Sequence, residues 1–269
     1  PSQPCPDAAI GHFMDARVQT ERMMASTEGR PEFSVVSPVR NEAENVEGLV
    51  REISDALAGR AFEIIFVDDS SQDDTRARLF AMKTRVPNLR VLGHRKNAGQ
   101  SRAVRTGVLA AKSNIILTLD GDGQNDPADL AGLLGQLIRA DAPGDLALVQ
   151  GRREKRIDSG WKKFGSKFAN NIRRSILNDR NTDSGCGMRA FRRDAYLQLP
   201  YFDHMHRYLP ALMQSDGHMV EERSVGHRAR QHGRSNYTNF GRLADAVSDL
   251  RGVMWLRKRR KSPGGVDEI

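Results

Sequence analysis

Leu119-Asp-Gly-Asp-Gly-Gln124 carries two carboxylates at i and i+2 where an apolar run ends. Gly121 and Gly123 let the backbone turn tightly there. Asp120 and Asp122 can then bracket a hard divalent cation, with Gln124 adding an oxygen. Mg²⁺ takes one or two carboxylates plus substrate phosphates more readily than an all-protein cage. The plainer reading of the same residues is an Asp-Gly turn at a strand end. Two further loops shift the balance. Val67-Asp-Asp-Ser-Ser-Gln-Asp-Asp-Thr75 also places acids after an apolar run, and one of Asp68 and Asp69 is surplus to helix capping. Ser37-Pro-Val-Arg-Asn-Glu42 is a third polar loop of this kind. Three carboxylate-bearing loops on one rim point to a pocket for a nucleotide and a metal.

The usual phosphate-binding signatures are missing. The chain contains no GxxxxGK[ST] and no GxGxxG after its first strand. A diphosphate would therefore be held by metal and cations. The seven histidines show no metal-ligand spacing, and His204 and His206 stand at i and i+2, off a common helix face. Cys5 and Cys186 are too few for a disulfide framework and form no CxxC knuckle, which fits free thiols in a reducing compartment.

The elements that must position these loops alternate in type. Phe33–Ser37 reads as a strand ending at Pro38, and Glu42–Leu57 as a helix with apolar residues at Val46, Leu49, Val50, Ile53 and Leu57. Phe62–Val67 is a nearly continuous apolar run, as a buried parallel strand requires. Helices over Asp73–Thr84, Gln100–Ala111 and Pro127–Ala140 then alternate with strands over Leu89–Leu92, Asn114–Leu119 and Leu146–Val149. Such repetition implies an α/β fold with a mostly parallel central sheet and helices on both faces. Ligands of such sheets sit at the carboxyl ends of the strands.

From Gly160 the pattern changes. Trp161–Leu177 reads as a basic amphipathic helix, Ser184–Phe191 as an extended Gly-rich segment, Arg207–Ser215 as helix and Val220–Val225 as strand. Phe240–Leu256 reads as an amphipathic helix with Leu243, Val247, Leu250 and Met254 on one side and Trp255 near its end, followed by five consecutive cations, Arg257–Lys261. The chain holds 42 Lys and Arg against 34 Asp and Glu, a net charge of +8 concentrated in 152–193 and 223–261. That excess suits an anionic partner. Nucleic acid is not the expected one: aromatics are only 6% of the chain, no reading motif is present, and the acidic rim would repel a phosphate backbone.

Ser37-Pro-Val-Arg-Asn-Glu, Val67-Asp-Asp-Ser-Ser, Asn97-Ala-Gly-Gln, Leu119-Asp-Gly-Asp-Gly-Gln and Asp183-Ser-Gly-Cys-Gly-Met-Arg-Ala-Phe stand in this order along the chain. In this the sequence resembles family 2 glycosyltransferases of the GT-A fold. The Ser-Gly-Cys-Gly-Met-Arg-Ala-Phe-Arg-Arg and His-Arg-Tyr-Leu-Pro stretches look most like those of polyprenyl-phosphate glycosyltransferases, the group that includes dolichol-phosphate mannose synthase. The resemblance implies that Pro38, Asn41, Glu42 and Asp69 line the nucleobase and ribose pocket. It implies that Asp120, Asp122 and Gln124 hold Mg²⁺ or Mn²⁺ on the donor diphosphate, which Arg230 also meets. Arg153 and Lys163 would face the acceptor phosphate, with Ser166 and Lys167 beside them. His206 and Arg207 are lesser candidates.

The expected reaction is inverting transfer of a sugar from a UDP- or GDP-linked donor to a polyprenyl phosphate, serving cell-envelope glycan or lipid glycosylation. A phosphate acceptor is already an anion and needs positioning more than deprotonation. A hydroxyl acceptor on a polysaccharide or glycolipid would need a base, for which Asp216 is the candidate. A sugar-phosphate nucleotidyltransferase would open on a GxGTR-type loop, and Pro38-Val-Arg-Asn-Glu stands there instead. The expected organisation is an extension over 1–30, a GT-A domain over 31–238 and an amphipathic helix with a basic tail over 239–269. No apolar run approaches the ~20 residues of a membrane span, and the first thirty residues lack the apolar core of a signal peptide. The expectation is a cytoplasmic protein, peripheral on an anionic membrane surface through its last helix, which also offers a route to a homo-oligomer.

Overall fold

The computed structural model describes residues 30–154, 182–183, 185–229 and 239–261. Seven strands form one sheet: β1 (Phe33–Val39), β2 (Phe62–Asp68), β3 (Leu89–Gly93), β4 (Ile115–Thr118), β5 (Leu146–Arg153), β6 (Arg189–Arg192) and β7 (Met219–Val225). Their order is β3-β2-β1-β4-β6-β5-β7. All neighbours are parallel except β6, which runs antiparallel to β4 and β5. The carboxyl ends of the six parallel strands and the amino end of β6 therefore share one edge.

Helices cover both faces, as the alternation predicts. α1 (Ala43–Ala56), α2 (Thr75–Met82) and α4 (Asp129–Ile138) pack Val46, Val50, Ile53, Leu79, Leu133 and Leu137 on Val35, Ile64, Phe66 and Leu117. On the other face α3 (Gln100–Ala110), α5 (Arg193–Gln198) and α6 (Leu209–Ser215) pack Val104, Val108, Tyr196, Leu209 and Met213 on Val36, Ile65, Ile116 and Phe191. The central strands are buried on both faces, which is why their sequences are apolar runs rather than alternations.

The structure differs from the sequence reading at several boundaries. β1 does not stop at Pro38. Its partner β4 pairs only with Ser34–Val36, so by Pro38 no neighbour on that side needs an N–H donor, and pairing with β2 continues to Val39↔Asp68. β5 runs on to Arg153 because β7 pairs with it that far. The expected Arg207–Ser215 helix is a 3₁₀ turn at Met205–Arg207 and then α6, which restarts around Pro210 at its first turn. α5 was not foreseen. The expected helix over 161–177, and the residues Lys163, Ser166, Lys167 and Arg230, lie outside the described residues.

α7 (Asn239–Arg259) follows. The expected stripe is divided: Leu250 and Val253 pack into the second core while Met254 is exposed. Leu243 and Val247 have side chains outside the described set. Asp249 reaches His204 at 3.0 Å, and Arg260, just beyond the helix, reaches Asp216 at 2.6 Å. Among the described residues no helix is long and apolar enough to cross a membrane.

At the amino edge of the sheet a buried carboxylate holds the strands level. Glu63 on β2 accepts hydrogen bonds from Ser34 Oγ (2.7 Å) on β1 and from the Lys112 N–H (2.6 Å) before β4, and pairs with Arg90 on β3. Burial pushes its pKa up, but these donors outweigh burial and hold it below the ordinary carboxylate value. A depressed acid stabilises the fold above its unfolded pKa and loses that contribution as pH falls. Glu63→Gln should therefore cost about 2 kcal/mol at neutral pH by urea denaturation. The difference should fade as pH drops below the ordinary value of 4.5.

Candidate active site

The three acidic loops meet at the carboxyl edge. β1 and β2 end together at Val39 and Asp68, and β4 on the other side of β1 ends at Thr118. This is where strand order reverses, so the loops diverge and leave a crevice.

Asp120 follows the buried Leu119. Its N–H is held by Asn125 Oδ1 at 3.0 Å, and its Oδ1 accepts from Gln100 Nε2 at 2.8 Å. Asp122 Oδ1 accepts the Gln124 N–H at 3.1 Å, closing a turn in which Gly123 has φ 72°. Burial first, and repulsion from Asp122 second, push the Asp120 carboxyl up to about 6, while Arg189 and Arg153 pull the other way. The turn thus concentrates negative charge in a partly dry place. Gly187 presses against it: a Cβ there would fall on the Asp120 carboxylate.

The loop after β1 is held in shape by the loop after β2. Asn41 is left-handed at φ 55°; its N–H donates to Ser71 Oγ (2.9 Å) and its Oδ1 accepts the Gln72 N–H (2.8 Å). The Glu42 N–H donates to Thr75 Oγ1 at 2.8 Å, and its carboxylate accepts from Asn45 at 2.6 Å. Gly121 packs against the Val39 side chain and the Pro38 carbonyl, where a Cβ would collide.

Asp69, expected to face a nucleoside, is turned inward and buried. Oδ1 takes His94 Nδ1 (2.7 Å) and the Ala98 N–H (2.9 Å); Oδ2 takes Asn97 Nδ2 (2.6 Å) and the Gly99 N–H (2.8 Å). Its acceptor capacity is filled by the chain itself, so this acid shapes the loop before α3. Asp68 is likewise engaged, by the Ser71 N–H and by Arg76.

On the far side of β4 the segment before β6 completes the rim. Arg153 at the end of β5 forms a two-point pair with the buried Asp183, Nε and Nη2 each at 2.7 Å. Arg189, fully desolvated, donates Nε to Gln150 Oε1 at 2.7 Å, and Gln150 Nε2 donates to the Cys186 carbonyl at 3.0 Å. Cys186 is buried, and burial pushes its thiol up to about 11, which makes it a packing residue rather than a nucleophile. After β7, Asn125 and His227 form an antiparallel bridge, and the Arg228 N–H holds the Gln124 carbonyl at 2.8 Å.

The structure thus brings Pro38, Asn41, Glu42, Asp120, Asp122, Gln124 and Arg153 to one edge. It does not bring Asp216 there. That residue follows α6 and precedes β7, whose Met219 pairs with Leu146 at the amino end of β5. Asp216 sits at the opposite edge, bound to Arg260, and cannot act as a base in this crevice. Gln100, Asp183 and Arg189 also join the site; each stands within a motif of the sequence, but the partner that gives it a role is distant in the chain.

The sequence profile of Glycosyl transferase family 2 matches residues 34–199, which span six of the seven strands, β1 to β6. The chain belongs to glycosyl transferase family 2. It is 32% identical over 240 residues to the dodecaprenyl-phosphate galacturonate synthase of Rhizobium johnstonii, covering 87% of this chain and 69% of that protein. It is 30% identical over 231 residues to an undecaprenyl-phosphate 4-deoxy-4-formamido-L-arabinose transferase of an Enterobacter species, covering 84% and 68%. The fold is that of glucosyl-3-phosphoglycerate synthase from Mycobacterium tuberculosis, solved with phosphoglyceric acid: TM-score 0.63, 20% identity, 89% of this chain and 84% of that one. The same enzyme was also solved with Mn²⁺, UDP and glucosyl-3-phosphoglycerate, at TM-score 0.62, 20% identity and the same coverage. This family 2 enzyme therefore has GT-A architecture and is a glycosyltransferase.

The raised pKa of Asp120 has a stability consequence. An acid whose pKa is higher folded than unfolded destabilises the fold as pH rises from the ordinary value towards about 6. In metal-free protein at pH 7.5, Asp120→Asn should raise stability by an amount on the order of 2 kcal/mol, seen as a higher melting temperature. The gain should vanish near pH 4.

Proposed function

We propose that this glycosyltransferase moves a sugar from a UDP- or GDP-linked donor to a polyprenyl phosphate, inverting the anomeric centre, at the cytoplasmic face of a membrane. The observation that carries the reading is the pairing of an acidic turn with two arginines across one crevice, in a chain whose two relatives above are both named for a polyprenyl phosphate. Residues 31–238 are then the catalytic domain, with 1–30 an extension. α7 belongs to the fold through Val253 as much as to any membrane.

The donor set fits a divalent cation. Asp120 and Asp122 are two carboxylates that repel each other, and among the described residues no third His, Cys, Asp or Glu joins them. Mg²⁺ or Mn²⁺ held by Asp120, Asp122 and Gln124 would fill its shell from the donor diphosphate and water, and would supply charge neutralisation on the leaving group. Pro38, Asn41 and Glu42 line the nucleoside side, and Asp69 shapes that wall through the loop it holds. Arg153 keeps Nη1 uncommitted to Asp183 and faces the acid pair, where it orients the acceptor phosphate. Arg230 on the donor side and Lys163, Ser166 and Lys167 on the acceptor side complete the assignment. No general base is required, because the attacking oxygen is already anionic.

The test is transfer itself. Incubated with UDP- and GDP-sugars, Mn²⁺ and undecaprenyl phosphate, the protein should yield a lipid-phosphate sugar detectable by mass spectrometry. Asp122→Asn should reduce the yield at least a hundredfold, on the order of 3 kcal/mol, with unchanged circular dichroism. Transfer only to saccharide hydroxyls would overturn the acceptor.

α7 turns Met254 and Trp255 outward, 47% and 60% exposed, beside Arg257, Lys258 and Arg259. An apolar ridge with a basic flank suits an anionic lipid surface. Met254→Ser with Trp255→Ser should lower co-sedimentation with phosphatidylglycerol vesicles several-fold at low salt while nucleotide affinity holds. Equal sedimentation would place the contact elsewhere.

A further inference from the structure

The segment Asn97–Gln100 touches both Asp69 and Asp120. Its first three residues close on Asp69 through Asn97 Nδ2 and the Ala98 and Gly99 N–H groups. Its last residue donates Gln100 Nε2 to Asp120 Oδ1 at 2.8 Å. Gly99, at φ 85°, makes the sharp entry to α3 that brings the Gln100 side chain across the crevice floor. The helix start is itself fixed: Ser101 Oγ lies 2.7 Å from His206 Nδ1 and accepts the His206 N–H at 3.3 Å. Gln100 therefore reaches Asp120 from a rigid base rather than from a free loop.

A carboxylate has two oxygens and can rotate about its Cβ–Cγ bond. A donor on one oxygen stops that rotation and leaves the other oxygen with a defined direction. Gln100 occupies Oδ1, and Gly187 packs so closely on the carboxylate that a Cβ there would collide with both of its oxygens. An amide suits this position because it donates without adding charge: a Lys or Arg at that distance would compete with a cation, and a Glu would add a third repelling acid. Partners of this kind, one bond removed from the metal, orient ligands and typically carry a 10- to 100-fold effect on metal affinity.

We infer that Gln100 is a positioning residue that fixes the Asp120 carboxylate for divalent-cation binding, and that Asn97-Ala-Gly-Gln is a strut setting the distance between the nucleoside wall at Asp69 and the cation-binding turn at Asp120. The inference rests on the proposed cation site at Asp120 and Asp122. Gln100 touches neither sugar nor phosphate in this role.

The test uses the full chain and Mn²⁺ as the probe. Mn²⁺ affinity in the presence of UDP, or of GDP if that is the nucleotide bound, is read from the electron paramagnetic resonance signal of free Mn²⁺. Gln100→Met keeps the length of the side chain and removes the donor; it should weaken Mn²⁺ binding about tenfold or more, with nucleotide affinity in EDTA unchanged. In turnover the apparent KM for Mn²⁺ should rise while kcat at saturating Mn²⁺ recovers, a split that a general loss of structure would not give. Gln100→Asn, which keeps the amide but stops one methylene short, should show the same direction and covers the case in which the Met variant does not fold. If both variants bind Mn²⁺ as the wild type does, while Asp120→Asn does not, Gln100 has no positioning role. If the wild type itself binds no Mn²⁺ with nucleotide, the cation site fails, and this inference with it.

Discussion

Two like charges held two residues apart at the end of a buried strand are the constraint around which this molecule is arranged. Asp120 and Asp122 would separate if their turn were free to relax, and Asp120 would stay protonated if its surroundings were only apolar. Neither happens, because groups from five places converge on the turn. Asn125 holds the Asp120 N–H, Gln100 holds its Oδ1, Arg189 and Arg153 lend positive potential, and Arg228 clamps the Gln124 carbonyl. The same constraint explains residues with no chemistry of their own. Asp183 keeps Arg153 extended beside the crevice, and Gln150 keeps Arg189 beneath it. Charge is balanced across the sheet rather than within one loop.

The sheet makes this balance possible because β6 enters against the grain. With six strands ending at one edge, only an antiparallel strand can deliver its beginning there. Asp183 and the stretch from Gly185 to Met188 thus arrive at the rim as the approach to β6, not as a loop leaving a strand. Thr118 Oγ1 ties it to β4 through the Gly187 carbonyl at 2.8 Å, and the Gly151 N–H ties it to β5 through the Met188 carbonyl at 2.9 Å. Its glycines admit that closeness. A Cβ at Gly187 has no place to go, so this glycine is a packing requirement of the acidic turn it covers.

Much of this was legible in the residue order. The alternation of apolar runs and amphipathic stretches gave the parallel sheet and both helical layers, since buried parallel strands and surface helices have different periods. A single acidic turn after an apolar run is common, but three such loops after parallel strands must share one rim, which made the acidic loops legible. What could not be read was which partner each acid would take. Asp69 looked like a ligand-facing residue, but its partners lie 25 to 30 positions away at His94, Asn97, Ala98 and Gly99, and only the fold brings them together. Asp216 looked like an available base until the register of β7 on β5 placed it at the wrong edge. The stripe on α7 misled for a simpler reason: a helical wheel gives relative angles but not which angle meets the core, and the core took Val253 rather than Met254.

The antiparallel insertion of β6 also divides the enzyme into two halves with separate histories open to them. Apart from Arg230, everything proposed for the donor, from Pro38 to Gln124, is built on the contiguous β1–β4 half. The rim contributed by β5, β6 and β7 arrives from later in the chain and, within the sheet, meets the first half along one short pairing, Ile115–Thr118 with Arg189–Arg192. Substitutions in the approach to β6 that spare Gly187 would redraw the surface opposite the donor without disturbing strand register in the first half. A lineage could in this way exchange acceptors while its nucleotide-handling half stayed as it was, and the seam along β4 and β6 is where such an exchange would leave its mark.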